Sequence, residues 1–458
     1  MNITASMFRA YDIRGVVTES LTPDAVRAIG RAFGSECLVK NISQVVVARD
    51  GRLSGPALVA ALIEGLVSTG CEVIDIGQQP TPVLYYATYQ LKTGTGIVVT
   101  GSHNPPDYNG LKMMMGGETL HGEMIQRVLH RIEKDDYHQG QGSQRQLDLE
   151  SDYLQRIVGD VNLSRPLKVA VDCGNGVAGE LAPKLLRALG CEVEELYCEI
   201  DGTFPNHHPD PSKLENLQEL IERVANKGLD LGLAFDGDGD RVGVIDSDGH
   251  VIWPDRQMML YARDVLSRHP GGRIVYDVKC SSHLASEIEA AGGVADMWKT
   301  GHSLMKARIQ ETGALLGGEM SGHIFFKERW YGFDDALYAA ARLLEILSQS
   351  KLSSAELFAQ LPDSLNTPEL NVHFANEGDN FRFMAQLTEQ VDFSDANIIT
   401  LDGLRIEFAD GWGLVRASNT TPSLVIRFEA DQQAALDRIQ GRFRSAMLAV
   451  DDTLSLPF

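Results

Sequence analysis

The chain has 458 residues, 43% of them hydrophobic, and carries 41 Lys and Arg against 63 Asp and Glu, a formal net charge of −22 at pH 7. That length provides for three or four domains with cores of their own. The acidity excludes nucleic acid and anionic membrane surfaces as main partners, because both select basic faces. A small anionic ligand stays admissible, since cations such as Arg14, Lys112, Arg241, Lys279 and Arg416 override the global field at short range.

Targeting signals are absent from the pattern: no run of about eighteen apolar residues could span a bilayer, and the amino terminus lacks the charged and apolar regions of a signal peptide. The six cysteines, at 37, 71, 173, 191, 198 and 280, show no C-x-x-C spacing and read as buried thiols of a reducing compartment. A cytoplasmic protein with no membrane partner is expected.

In chain order, an apolar β-rich run over residues 44–50 precedes a helical pattern over 55–70, and a second run over 96–100 opens into a polar, proline-broken loop. Residues 138–146, rich in Gly and Gln, read as a linker. Strand runs follow at 167–172, 231–236 and 273–277, with a helical pattern over 178–190 that ends in a glycine. Strand followed by helix, several times over, is α/β architecture. A second boundary falls at 365–368, with a hinge expected near Pro368. Beyond it come strand runs at 369–374, 403–408, 412–416 and 423–429 and a helix over 432–450, the pattern of a small α+β domain with hairpins. The expected units are 1–148, 149–250, 251–362 and 363–458.

Two loops carry most of the chemistry. Thr100-Gly101-Ser102-His103-Asn104-Pro105 follows a short apolar strand, and ligands collect at such carboxyl ends in α/β sheets. Ser102 is a candidate nucleophile, which as a neutral hydroxyl needs a base, a metal or fixed positive charge beside it. The same residues are also ordinary turn formers. A serine-hydrolase elbow is excluded, because Thr100 and Asn104 stand where its glycines belong.

Asp236-Gly237-Asp238-Gly239-Asp240-Arg241 ends a second apolar strand. Three carboxylates at alternate positions can converge on one hard cation, and the glycines let the backbone fold around it. Buried without a cation, such a cluster repels itself and protonates. A calcium EF-hand is excluded, because Arg241 and Ser247 occupy the places of its Gly and Glu. Oxygen-only ligands near an anionic substrate favour Mg²⁺.

Two further loops complete the set. Gly317-Gly318-Glu319-Met320-Ser321-Gly322-His323 places a carboxylate and a hydroxyl where they could grip sugar hydroxyls, although it also suits a plain glycine-rich turn. Arg416-Ala417-Ser418-Asn419-Thr420-Thr421-Pro422 sets a guanidinium beside hydroxyls and an amide that can bind phosphate, and it equally suits a capped hairpin.

In this order the four segments resemble the α-D-phosphohexomutase superfamily, over the whole chain from Tyr11-Asp12-Ile13-Arg14-Gly15 to the Arg416 loop. Within it, the Glu319-Met320-Ser321-Gly322-His323 and Ser418-Asn419-Thr420 runs look most like the bacterial bifunctional phosphomannomutase/phosphoglucomutase branch. The phosphoglucosamine mutase branch typically carries Gly where this chain has Asn419. Thr421 departs from the many relatives that carry Glu there.

The resemblance implies three similar mixed α/β domains and a fourth, TATA-binding-protein-like α+β domain around a central cleft. It implies reversible interconversion of hexose 1-phosphate and hexose 6-phosphate, of glucose and mannose, through phosphorylated Ser102 and a hexose 1,6-bisphosphate that serves as intermediate and activator. One Mg²⁺ would be held by Ser102, Asp236, Asp238 and Asp240. His103, Lys112, Arg14, Tyr11, Arg241, His302 and Lys279 would serve catalysis. Glu319, Ser321 and His323 would bind the sugar, and Arg416, Ser418, Asn419 and Thr420 the unreactive phosphate. Sugar phosphates are the implied partners, and a monomer is expected.

Two competing readings stand beside it. A haloacid-dehalogenase-type phosphatase or mutase would use Asp236 as nucleophile and Asp238 as acid, although Asp240 replaces its usual Thr or Ser. A silent sugar-phosphate-binding module would keep the Arg416 loop and have no need of Ser102.

Overall fold

The computed structural model describes residues 3–419 and 421–458. Its first three sheets repeat one strand order. In the first, Glu72–Gln78, Gln44–Arg49 and Gly96–Val99 run parallel and Tyr108–Met115 closes antiparallel beside Gly96–Val99. Glu192–Leu196, Lys168–Asp172, Leu231–Phe235 and Val242–Ile245 reproduce that order in the second sheet. In the third it recurs as Val294–Trp298, Arg273–Asp277, Leu316–Gly318 and Ile324–Phe326. The central strands are continuous apolar runs, such as Val45 to Ala48 and the wholly buried Leu231–Phe235, as sheets covered by helices on both faces require.

Helix ends follow local chemistry. The helix Pro23–Val39 starts with Thr22 accepting from the Ala25 amide at 3.3 Å and with Pro23 in its first turn. Gly70, at φ 107°, closes Gly55–Thr69, whereas the helix Ala178–Ala188 is capped by Leu189 and the glycine expected at its end, Gly190, follows at φ 94°.

The first three domains share a continuous core that includes Val46, Leu185, Leu233, Phe326 and Leu343. Trp330 lies in it, stacked on Tyr338 at 4.2 Å between centroids. The fourth domain is an antiparallel sheet carrying the helices Asp379–Gln390 and Gln433–Val450, around a separate core of Ile406, Ile426, Phe428, Ile439 and Phe443.

Two expectations change. The stretch 138–146 is not a free linker, because Ser143–Gln146 adds a parallel edge strand to Glu72–Gln78. Its side chains are exposed, so no apolar pattern announced it. A pivot at Pro368 is also excluded. Leu365–Asn366 and Leu370–His373, on either side of it, both pair with Ser423–Ala430, so bending there would break the sheet.

Candidate active site

In each of the first three domains one loop leaves the carboxyl end of the third strand and returns through the antiparallel fourth. These loops carry Ser102, Asp236 to Arg241, and Glu319 to His323. The fourth domain contributes the turn between Gly411–Ala417 and Ser423–Ala430. Strand ends expose unpaired backbone groups, so ligands gather there.

Ser102 is 1% exposed and takes the left-handed conformation, φ 48°. Its Oγ donates to Asp236 Oδ2 at 3.2 Å and lies 3.2 Å from His103 Nδ1. Burial, then the nearby Arg241 and Arg14, push the His103 imidazole well below its ordinary pKa, so it is neutral at pH 7.

Asp236, Asp238 and Asp240 are fully buried and together form a group able to hold a metal ion. Burial and the two neighbouring carboxylates push Asp236 well above the usual carboxylate range. Asp238 is held below it, because Lys112 and the Thr81 hydroxyl outweigh desolvation. Lys112 Nζ lies 2.7 Å from Asp238 Oδ2 and also contacts Asp240. Oδ1 of Asp238 and Oδ1 of Asp240 are buried and have no hydrogen-bond partner among the described residues. Orphaned carboxylate oxygens of this kind fit a hard, oxygen-seeking cation.

Arg241 Nε donates to His323 Nε2 at 3.0 Å, and His323 Nδ1 is 3.1 Å from Asp334 Oδ2. Lys306 donates to Asp334 at 2.8 Å and to His302 Nδ1 at 3.2 Å. Burial and Lys306 keep His302 well below its ordinary pKa, and the Lys306 contact leaves its hydrogen on Nε2. The Tyr11 ring meets His302 edge-on at 5.6 Å between centroids.

Glu319 accepts from Ser321 Oγ at 3.0 Å, and burial raises its pKa. Across the cleft, Arg416 makes a forked pair with Asp402 at 3.0 and 3.3 Å, and Asp402 also accepts from the Thr300 amide. Lys279 pairs with Glu369 at 2.6 Å and Arg14 with Asp12 at 2.6 Å.

One cavity of about 170 Å³ joins these groups. Tyr11, Arg14, Ser102, His103 and Lys112 line it from the first domain, and Arg241 from the second. The third domain contributes Lys279, His302, Glu319, Ser321 and His323, and the fourth Arg416 and Ser418. Asp236, Asp238 and Asp240 lie directly behind Ser102 and Lys112. Asn419 is half-buried and outside this lining, and Thr420 lies outside the described residues.

Several participants carried no motif. Asp50 and Asp277 each end a first strand and brace the third-strand loop, Asp50 through Thr100 Oγ1 and the Gly101 amide, Asp277 through the Met320 amide. Asp172, in the same position of the second domain, holds His207 instead. The recurrence of Asp at that position was the available signal. Lys306, Asp334, Asp402 and Glu369 gave none, since only packing brings them in.

Fold and site together define a four-domain α/β enzyme class built around one central cleft, with a buried serine and a carboxylate triad on one wall and paired cations on the other. Four family models match the chain in succession. They are the α/β/α domains I, II and III of phosphoglucomutase/phosphomannomutase at residues 5–139, 151–249 and 253–365, and the C-terminal domain of the same enzymes at 369–446. The chain is 56% identical over 456 residues to a phosphomannomutase/phosphoglucomutase of Pseudomonas aeruginosa, covering 100% of this chain and 98% of that one. It is 53% identical over 449 residues to a phosphoglucomutase of Neisseria gonorrhoeae, covering 97% of each. A crystal structure of a phosphoglucomutase/phosphomannomutase family protein from Burkholderia thailandensis superposes with a TM-score of 0.94 at 52% identity, covering 100% of both chains. The chain belongs to the phosphoglucomutase/phosphomannomutase family.

Proposed function

We propose that this chain interconverts hexose 1-phosphates and hexose 6-phosphates, of both glucose and mannose, by phosphoryl transfer through Ser102. The observation that carries the reading is the Ser102 hydroxyl 3.2 Å from a fully buried carboxylate triad, with the Arg416 loop across the same cavity. Phosphorylated Ser102 donates to the free O1 or O6 of the bound sugar phosphate. The resulting 1,6-bisphosphate turns over in the cleft, and its other phosphate returns to Ser102.

Ser102, Asp236, Asp238 and Asp240 are the groups to hold Mg²⁺, which when bound supplies charge neutralisation at the transferring phosphoryl group. Lys112 serves as fixed charge rather than base, because two carboxylates raise its pKa against the opposing effect of burial. Arg14 and Lys279 are ion-paired, and burial keeps Tyr11 neutral. His302, with its hydrogen on Nε2, is the residue we assign to proton transfer with the reacting hydroxyl. Arg416 and Ser418 hold the phosphate that does not react. Glu319 and Ser321 read O3 and O4, which glucose and mannose share, so a site blind to C2 accepts both.

An aspartyl nucleophile fits less well. Asp236 Oδ1 already accepts the Asp240 and Arg241 amides, each at 3.1 Å, and Oδ2 faces Ser102. The reading also includes four units, 1–148, 149–250, 251–362 and 363–458, of one loop each, and a working monomer, since a single chain brings all four loops together. A cytoplasmic location is supported by six free cysteines and by the absence, among the described residues, of any helix long and apolar enough to cross a membrane.

The deciding experiment exposes the protein and Ser102→Ala to labelled glucose 1,6-bisphosphate with Mg²⁺. A label stable to acid and hydroxylamine and missing from Ser102→Ala is expected. A hydroxylamine-labile label would move the nucleophile to Asp236. Comparing kcat/KM for glucose 1-phosphate and mannose 1-phosphate then tests the sugar range, with a ratio above about 10³ counting against a site that reads only O3 and O4.

A further inference from the structure

We propose that Arg52 is the positioning residue of the nucleophile, its buried guanidinium holding the Ser102 loop in the left-handed turn that aims the hydroxyl at Asp236. This rests on the reading of Ser102 as the phosphoryl carrier. Arg52 lies just beyond the strand Gln44–Arg49 and is 1% exposed. Its guanidinium donates to the carbonyl oxygens of Ser102 and Tyr108, both at 2.9 Å, and to those of Asn104 and Pro105. Three of these acceptors belong to the nucleophile loop and the fourth, Tyr108, opens the strand into which the loop returns, so one side chain sets the path of the loop from the nucleophile to its return. A charge buried this deeply is tolerated only where its donors find acceptors, and here the loop and Tyr108 supply them for both terminal nitrogens, while Nε faces the Asp50 carboxylate.

The base of Arg52 is fixed as well. Asp50 accepts its amide at 2.9 Å and stands 3.3 Å from its Nε, while also accepting Thr100 Oγ1 and the Gly101 amide. From the second domain, the Phe204 ring lies 5.2 Å from the guanidinium carbon. Gly101 is explained by the same contact, since a Cβ there would sit 2.2 Å from Arg52 Nε and 2.3 Å from Cζ. An L-residue is disfavoured at φ 48°, so Ser102 holds that conformation because its surroundings impose it. Arg52 makes no hydrogen bond to Ser102 Oγ and acts through the backbone alone.

Three variants test this: Arg52→Lys, Arg52→Ala and Gly101→Ala, the last pushing the guanidinium off the loop while keeping its charge. Each is assayed with glucose 1-phosphate for kcat and KM, for the rate of Ser102 labelling by glucose 1,6-bisphosphate, and for thermal midpoint. A misplacement near 1 Å lowers turnover by about 10²-fold. The expected result is a loss of that size in kcat and labelling rate, with KM within about threefold of wild type at temperatures where the variant is folded. Millimolar guanidinium should partly restore Arg52→Ala and leave Gly101→Ala unchanged. Adding Gly101→Ala to Arg52→Ala should cost no more than about twofold further, because both act through one side chain. The proposal is overturned if folded Arg52→Lys and Gly101→Ala label Ser102 as fast as wild type. It is equally overturned if kcat falls only in proportion to the unfolded fraction and guanidinium restores nothing. A wild-type protein that takes no label on Ser102 would instead sink the phosphoserine reading itself.

Discussion

Lys112 and Arg416 are both buried cations, and what each faces decides what its loss does. Lys112 neutralises Asp238 and Asp240, so Lys112→Met leaves two buried carboxylates without their shared lysine partner and more dependent on a bound cation. Breaking a buried pair typically costs about 3–5 kcal/mol. The thermal midpoint of Lys112→Met should therefore fall in EDTA and recover with Mg²⁺ by a larger step than in wild type, and equal steps would place the metal elsewhere. Arg416 instead faces Asp402, with which a ligand phosphate must compete or share. Replacement by Lys loses the fork, and Arg416→Lys should raise KM for hexose phosphates about 10–100-fold while kcat changes only a few-fold. A change confined to kcat would show that Arg416 acts on the transferring group. The aspartate alternation was legible because its spacing alone implies a cation, whereas an isolated Arg52 after a strand carries no such implication.

The helix Ala336–Gln349 begins at Asp335, whose carboxylate accepts the Tyr338 amide, the Tyr153 hydroxyl and the Trp330 indole. Burial nevertheless pushes its pKa up to about 7. A carboxyl that holds its proton more tightly folded than unfolded makes the fold lose stability as pH rises, here from about pH 4 to about pH 7. Above pH 7 the full penalty of a buried charge is present, and below pH 4 none of it, a difference on the order of 4 kcal/mol. Asp335→Asn keeps an acceptor for the cap and removes the titration. Its stability should be flatter than wild type between pH 4 and 7, as measured by denaturant midpoints, and an unchanged slope would show that Asp335 does not titrate there. Elements were legible where periodicity reports burial, as in Gln44–Arg49 or Gln433–Val450. The exposed strand Ser143–Gln146 and the short Asn397–Ile399 were not, because backbone pairing alone defines them.

One core runs through the first three domains, while the fourth has its own and joins them through a small apolar cluster of Val278, Trp412 and Leu414 and through polar contacts. Arg427 pairs with Asp255 at 3.0 Å, Arg405 donates to the Val278 and Cys280 carbonyls, and Arg405 also covers the Trp412 ring at 3.8 Å. The first domain meets the fourth through the exposed Arg9–Glu377 pair. Small-molecule sites usually enclose about 300–1,000 Å³, so a cavity of about 170 Å³ must widen before a bisphosphate can turn within it. If the fourth domain supplies that opening, the chain must bend over residues 362–364, between Leu361 of the shared core and the first paired strand. X-ray scattering should show a smaller radius of gyration with bound hexose phosphate than without, and identical profiles would argue against closure. Arg427→Met should expose 362–364 to proteolysis, whereas Glu377→Gln should shift stability by less than about 1 kcal/mol.

Strand–loop order, the alternation of Asp236, Asp238 and Asp240, and the polar run around Ser102 are local patterns, so reading the chain alone placed two chemically equipped loops at strand ends and marked the Glu319 and Arg416 segments as candidates. Their convergence is not local. Ser102 meets Asp236 across 134 positions and Lys112 meets Asp238 across 126, and no spacing rule connects residues that far apart. Only packing determined which charges pair, which histidines stay neutral and which arginine holds the nucleophile. Desolvation and Coulomb energies depend on distance and burial in three dimensions, and neither is written in the order of residues.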